Sequence, residues 1–473
     1  MFTISYKSVL ATTSLLSQAH AFFRMPCGAP VAVERLDPIV SDGGVSGHEH
    51  TVMGGNAFNS TMTYEDTQLS TCSTCKVEFD KSNYWVPSLW YVYQNGSVTP
   101  VTQVGGATVY YLQRSDDKDP NYDEGLLAFP EGFMMIAGDY SRRTYNESSL
   151  EDQAVSYACL GGSGPETGTI PSENCPNGLR SQVFFPSCWD GESHDSDDHK
   201  SHMAYPSLMN NGYCPDSHPH RFVSIFYEVM WSIDEWADMW WDGPNGDGHP
   251  FVLSTGDTTG NSFHGDFVNG WDVETLQNAV TECTADSGNI EDCPIFDGHY
   301  YDDDTINGCK VPKTVSDPDR EGVFENLPGC IAVDGGSEAT CEDDAVITAP
   351  QWGFADMTSE GYAYVGCASD PAGQERTLSD ASTSADDMTV ETCISFCREG
   401  GYVYAGVEYS TQCFCGNSAS EDRMPRTDGV MGNCVMKCGG DSSVTCGGPS
   451  ALDLYEACTT SECKNADLNV LGW

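Results

Sequence analysis

The sequence predicts a mainly β protein. It reads as an N-terminal β-sandwich or jelly roll with long disulfide-stapled loops, followed by a small eight-cysteine module. Three observations carry this expectation. Short runs rich in aromatic and branched residues recur between Gly, Pro, Asn and Asp clusters from Phe22 to about Cys341. The chain of 473 residues holds 22 cysteines, an even number at irregular spacings, without the doubled C-x-x-C pattern of zinc ribbons. After residue 360 the cysteine rhythm tightens to a density typical of small stapled domains.

Taken in order, residues 1–21 read as a signal peptide. Met1 to Lys7 forms a weakly basic start, SVLATTSLLS is an apolar stretch too short to cross a bilayer, and Ala19-His20-Ala21 is a cleavage signal, so the mature chain should begin at Phe22. Residues 22–341 form the β-rich domain, with a core over 22–283 and an acidic, cysteine-rich extension over 284–341 that should wrap the sandwich. Strands are expected at NYWVPSLWYVY, ATVYYLQR, GFMMIAG, SQVFFP and RFVSIFYEVMW. WDVETLQNAVTEC, Trp271 to Cys283, is the one good helix, with Leu276, Val280 and Cys283 on one face and Asp272 and Glu274 at its start. A linker covers 342–360, the cysteine module 361–457 and a tail 458–473, where Cys458 and Cys463 can close a loop of their own.

Charge and cysteines bound the function classes. A net charge of −50, from 71 acids against 21 bases, opposes binding to nucleic acid and anionic membranes, which require cationic patches. The cysteine count reads as disulfides in an oxidising compartment, and nothing after the leader is apolar enough for a membrane span. The expectation is a secreted, extracellular or wall-associated protein, with sequons at Asn59, Asn95 and Asn146 open to glycosylation.

In the C-terminal module, GYAYVGCASD, TVETCISFCREGGYVYAGVEYSTQCFCGN and CVMKCGGDSSVTCGG carry Cys367, Cys393, Cys397, Cys413, Cys415, Cys434, Cys438 and Cys446. This stretch resembles a WSC domain, the eight-cysteine module of fungal wall sensors and secreted wall-active enzymes. The resemblance implies disulfide pairing of these eight and binding of cell-wall polysaccharide of the β-1,3-glucan or xylan class. Sugar rings stack on flat aromatics rimmed by polar groups, so Tyr404, Tyr409 and Phe414, with Gln412 and Asn417, are candidate carbohydrate-binding residues; Tyr402 and Glu408 accompany them. The competing reading makes the same aromatics the module's own core.

The N-terminal region, through FRMPCG, GHEHTVMGGNAF, VFFPSCWDG, DDHKSHMAYP, CPDSHPHR and HGDFVNGWD, resembles a widespread secreted domain of fungi and actinobacteria; that likeness fixes a family and no activity. Seven of the eleven histidines fall in four motifs: His48/His50, His199/His202, His218/His220 and His264. H-x-H on an extended segment puts both rings on one face.

Three chemistries use such parts. A divalent metal needs three or four N/O ligands at about 2.0–2.2 Å, which His48, His50 and His264 with a carboxylate can supply. A lyase would take His199, His202 or His264 as base and Tyr205 as acid, beside Asp198 and Asp266, with Lys200, Arg35 or Arg221 neutralising a uronic carboxylate. A hydrolase needs two carboxylates about 5–9 Å apart, with Asp190, Glu192, Asp198, Glu228 and Asp266 as choices. The alternative is that the histidines only lock loops through carbonyls and carboxylates, leaving a non-catalytic wall-structural or host-interaction protein. Glycines beside His264 and Asp266 suit close approach of a ligand to the backbone.

Overall fold

The computed structural model describes residues 21–318, 320–336, 341–347, 354–370, 375–420, 423–425, 434, 436–441, 444–459 and 463–466. The leader expected over 1–21 lies almost wholly outside the described residues, as do part of the linker and most of the tail.

The N-terminal domain is built on two five-stranded antiparallel sheets. The first has the order Ala21–Pro26, Gln103–Gln113, Ser224–Trp231, Leu179–Phe184, Val155–Cys159. The second has the order Ala32–Glu34, His50–Gly54, Asn83–Pro87, His264–Val268, Met134–Gly138. Alternation along the strands sends Met53, Tyr84, Met135 and Phe267 inward to a core shared with Tyr111, Val183 and Tyr227 of the first sheet. Tyr227 meets the Tyr84 ring edge-on at 5.6 Å, and the Tyr84 and Tyr111 hydroxyls bond at 2.7 Å, so the polar tips of the buried rings are paired. Each such ring contributes roughly 1.5–3 kcal/mol by leaving water.

The second sheet is buried on both faces. Its outer face presents Val52, Trp85, Ile136 and Val268 to a second cluster containing Val31, Leu36, Phe58, Val311 and Val315. The last two belong to the segment 284–341, which packs here on the outer face of this sheet. Cys72–Cys309 staples it, the Glu34 carboxylate accepts from the Thr314 and Val315 amides, and the buried Arg35 guanidinium forks between Asp317 and Asp343. Arg35 is thereby removed from the residues that could neutralise a uronic substrate.

The expected helix is present as Val273–Glu282. Asp272 caps it by accepting from the Thr275 amide, and Leu276, Ala279 and Val280 are buried. In the C-terminal module one sheet runs Tyr362–Ser369, Ala451–Ala457, Tyr404–Glu408, Gln412–Gly416, Ala381–Ser384. A second ten-residue helix, Val390–Glu399, packs on it; the sequence reading did not anticipate this element. Thr389 caps it, and the four-residue spacing of Cys393 and Cys397 keeps both on its buried face, bridged to Cys413 and Cys415. All eight module cysteines pair, the others as Cys367–Cys434 and Cys438–Cys446, and Cys458–Cys463 closes its own loop.

Candidate functional site

His50 opens its strand on the outer face of the second sheet. His264 and Asp266 stand on that same face two strands away, in register with Gly138 and Ile136. His48 precedes the His50 strand, and two-residue alternation returns its ring to the same side. The Nε2 atoms of His48 and His264 are 3.1 Å apart, and those of His264 and His50 3.4 Å apart. The three nitrogens form one group of mutually close ligand atoms.

Their other nitrogens decide what the cluster can do. His50 Nδ1 lies 3.0 Å from the Leu36 carbonyl, and His264 Nδ1 lies 2.8 Å from the Ser262 carbonyl. A carbonyl only accepts, so both Nδ1 atoms carry the proton and both Nε2 atoms are bare lone pairs. Burial, with the neighbouring rings, holds His48 and His50 well below the ordinary imidazole range, and burial takes His264 down to about 4. Two neutral rings with unprotonated Nε2 atoms 3.4 Å apart, and the His48 Nε2 3.1 Å from one of them, offer the ligand atoms a cation takes. Two nitrogens on a tetrahedral zinc ion at 2.0–2.1 Å sit about 3.3 Å apart, which matches the separations here.

Asp266 adds a carboxylate. Its Oδ2 is 3.7 Å from His264 Nε2, is buried, and has no hydrogen-bond partner among the described residues. Burial pushes this carboxyl well above the usual range, with the nearby Asp37 adding to the effect. On the solvent side, the half-exposed Tyr140 ring stacks on His48 at 6.2 Å between centroids.

The other candidates are not brought into this centre. His202 is buried, with Nδ1 on the Ser196 hydroxyl and Nε2 on the Met134 carbonyl, so neither nitrogen is free for a substrate. Asp198 accepts from the Ser196 hydroxyl and the Lys200 and Ser201 amides, which caps a turn and depresses its pKa. Tyr205 donates to the Phe184 carbonyl, and burial drives its hydroxyl pKa upward, away from acid catalysis. His199 pairs with Asp195 and has a left-handed backbone, φ 58°. Its carbonyl accepts from Ile136, and the Lys200 ammonium donates to the Gly138 carbonyl. The loop therefore frames the three-histidine centre through Lys200. His218 and His220 are held by the Ser201 carbonyl and by Glu124, and Arg221 bonds the Gly212 carbonyl. Of the remaining hydrolase carboxylates, Asp190 caps the Glu192 and Ser193 amides, and Glu228 pairs with Tyr110 and Arg180.

In the C-terminal module, Tyr404, Glu408, Gln412 and Phe414 share one sheet face, as register demands. Phe414 is half-buried against Leu378 and Leu452, and the Arg376 guanidinium covers it at 4.4 Å. Arg376 in turn bridges Asp370 and Glu408. Asn417 accepts from the Val403 amide, and Tyr409 is 41% exposed at a turn. Sequence reasoning missed Arg376, Asp370 and Tyr140, because only tertiary contacts reveal them. Cys393, Cys397 and Cys413 also lie close together, but their sulfurs are consumed by disulfides.

Residues 37–271 match a family described as a domain of unknown function, DUF1996, and residues 364–448 match the WSC domain. Among curated proteins, the chain is similar to a WSC domain-containing protein of Arthroderma benhamiae, 35% identical over 20% of this chain and 10% of that protein. It is likewise similar to Kremen protein 2 of Mus musculus, 37% identical over 22% of each. The chain spans about a tenth to a fifth of the length of these relatives. No helix among the described residues is long and apolar enough to cross a membrane. The disulfides and the WSC domain fit an extracellular or cell-surface protein, and that domain supports a carbohydrate-binding or cell-surface role. The chain carries a DUF1996 domain followed by a WSC domain.

Proposed function

We propose that this is a secreted wall-glycan-binding protein whose N-terminal domain holds one divalent metal ion on His48, His50 and His264, with Asp266 as the adjacent carboxylate. The WSC module holds the chain on wall polysaccharide of the β-1,3-glucan or xylan class, and the metal centre acts on that glycan. The observation that carries the metal is the pair of bare Nε2 atoms, His50 and His264, 3.4 Å apart with both partner nitrogens on carbonyls. Two lone pairs repel; a cation between them converts that repulsion into coordination. Three histidine ligands leave a fourth position for water or a sugar oxygen, which such an ion polarises. His48 and Tyr140 lie on the approach to it, and an exposed aromatic ring suits a pyranose face.

The near-complete burial of His50 and His264 favours a second reading, in which the ion is structural and the domain is not an enzyme. One experiment separates the two. The protein is incubated with fungal and plant wall polysaccharides, with and without a chelator, and soluble products are read by mass spectrometry beside His264→Ala. Products that vanish with chelator and variant support the acting centre. No products, with a chelator-dependent fall in melting temperature, leave the structural ion. A chelator that changes neither removes the metal from the account.

A further inference from the structure

We infer that Asn95 carries an N-linked glycan whose first sugars lie in an apolar groove on this protein's own surface, floored by Tyr93 over the buried Tyr91 and walled by Met239 and Val323. The sequon sits on the turn Tyr93-Gln94-Asn95-Gly96-Ser97, which joins the strands Leu89–Val92 and Val98–Pro100. The turn is closed by Tyr93 N–H donating to the Ser97 carbonyl and Gly96 N–H donating to the Tyr93 carbonyl; Gly96 takes φ 88°, which suits glycine. Asn95 is exposed, and its Oδ1 accepts from the Ser97 amide at 3.1 Å and hydroxyl at 2.7 Å. The turn therefore engages the oxygen and not Nδ2, the atom to which a glycan is attached.

The groove, of about 560 Å³, begins at Asn95 itself. The Tyr93 ring, two residues before the acceptor, is propped edge-on by Tyr91 at 4.9 Å and by Trp236 at 6.1 Å. Trp236 also stacks on Tyr91 at 4.1 Å, and the Tyr91 hydroxyl holds the Met239 carbonyl at 2.6 Å. Val323 is placed alongside because its neighbour Phe324 exchanges backbone bonds with Val98. Met239 and Val323 are 47% and 59% exposed, an apolar rim on a surface that is otherwise strongly acidic. A sugar attached at Asn95 meets these groups at high effective concentration, without the translational cost a free sugar would bear, and the apolar face of a pyranose suits an aromatic floor.

The other two sequons lack this arrangement. Asn146 makes the same bonds to Ser148, but Thr144 stands two residues before it and the adjacent Tyr145 ring lies against Gly168. Asn59 is half-buried, and its Oδ1 faces Ser60. They serve as internal controls.

The inference rests on the secretory reading, and the test distinguishes the two. The full chain is secreted from a eukaryotic host, and glycopeptides are mapped after enzymatic release in heavy-oxygen water. The folded protein is then compared before and after complete deglycosylation, in the parent and in Tyr93→Ser, by thermal melting and binding of an apolar dye. The expected result is occupancy at Asn95, a melting temperature lower by about 2 °C or more after removal, and increased dye binding. In Tyr93→Ser both differences should shrink. Asn95 unmodified in the secreted chain, whatever the state of Asn146, overturns the inference; a full chain retained in the cells instead overturns the secretory reading. Occupancy without any change on removal overturns the docking. An unmodified Asn95 with soluble glucan or xylan altering Trp fluorescence reassigns the groove to free polysaccharide.

Discussion

His50 and His264 face each other through unprotonated nitrogens, Nε2 to Nε2 at 3.4 Å, with Leu36 and Ser262 carbonyls fixing both rings from behind. That relationship makes the cluster a donor set and sets it apart from His199, His202, His218 and His220, whose ring nitrogens bond carbonyls, hydroxyls and carboxylates.

Asp266→Asn should weaken divalent-metal affinity by about 10–100-fold, because a carboxylate beside the ligands tunes the site even where it does not bind directly. Competition against a chelating dye measures this. Unchanged affinity would remove Asp266 from the centre.

His202→Ala should act on folding alone. It leaves the Met134 carbonyl without the His202 ring, strips the Ser196 hydroxyl of one of its two side-chain partners and opens space beside Phe133, a loss of about 1–3 kcal/mol. Denaturant melts should shift while metal content per folded chain stays at the parent value. Loss of metal with intact stability would return His202 to the site.

In the WSC module, Tyr409→Ala should weaken retention on insoluble glucan by about 3–10-fold, the loss of one exposed stacking ring, with unchanged melting. Phe414→Ala should instead destabilise the module, since one face of that ring is covered by Arg376 and the rest packs on Leu378 and Leu452. Equal binding losses at unchanged stability would contradict this division.

Stability of the module should fall as pH rises. Burial, with the like charge of Asp370, raises Glu408 to about 8 against an ordinary 4.5, partly offset by Arg376. A carboxyl raised on folding stabilises the folded state most fully below its unfolded value, and this is lost as pH climbs through the folded one. Asp453, raised by burial to about 6, acts the same way but finishes earlier, so the interval from about 6 to about 8 belongs to Glu408. Protection factors along Gln412–Gly416, with the intrinsic pH dependence of amide exchange divided out, should fall across that interval in the parent and stay level in Glu408→Gln. Identical profiles would refute the assignment.

Much of this was legible in the residues themselves. Alternation put His48 and His50 on one face, the aromatic and branched runs became strands of the two large sheets and, at Leu89–Val92, of a separate three-stranded one, and Asp272 marked the start of the helix Val273–Glu282. The helix Val390–Glu399 was hidden because its buried face is drawn largely in cysteines, which read as a disulfide pattern before they read as a period. The grouping of His199, His202, Asp198 and Tyr205 with His264 and Asp266 rested on composition. Their separation depends on Met134 and Phe184 carbonyls far away in the chain, which no local pattern announces.

The most direct test of the central claim is the metal content of the purified, folded protein by inductively coupled plasma mass spectrometry, beside a His48→Ala, His264→Ala variant of equal circular dichroism. The account predicts about one divalent metal per chain in the parent and none in the variant. A parent that holds no metal as purified and takes up none of zinc, copper, nickel or manganese on titration would contradict it.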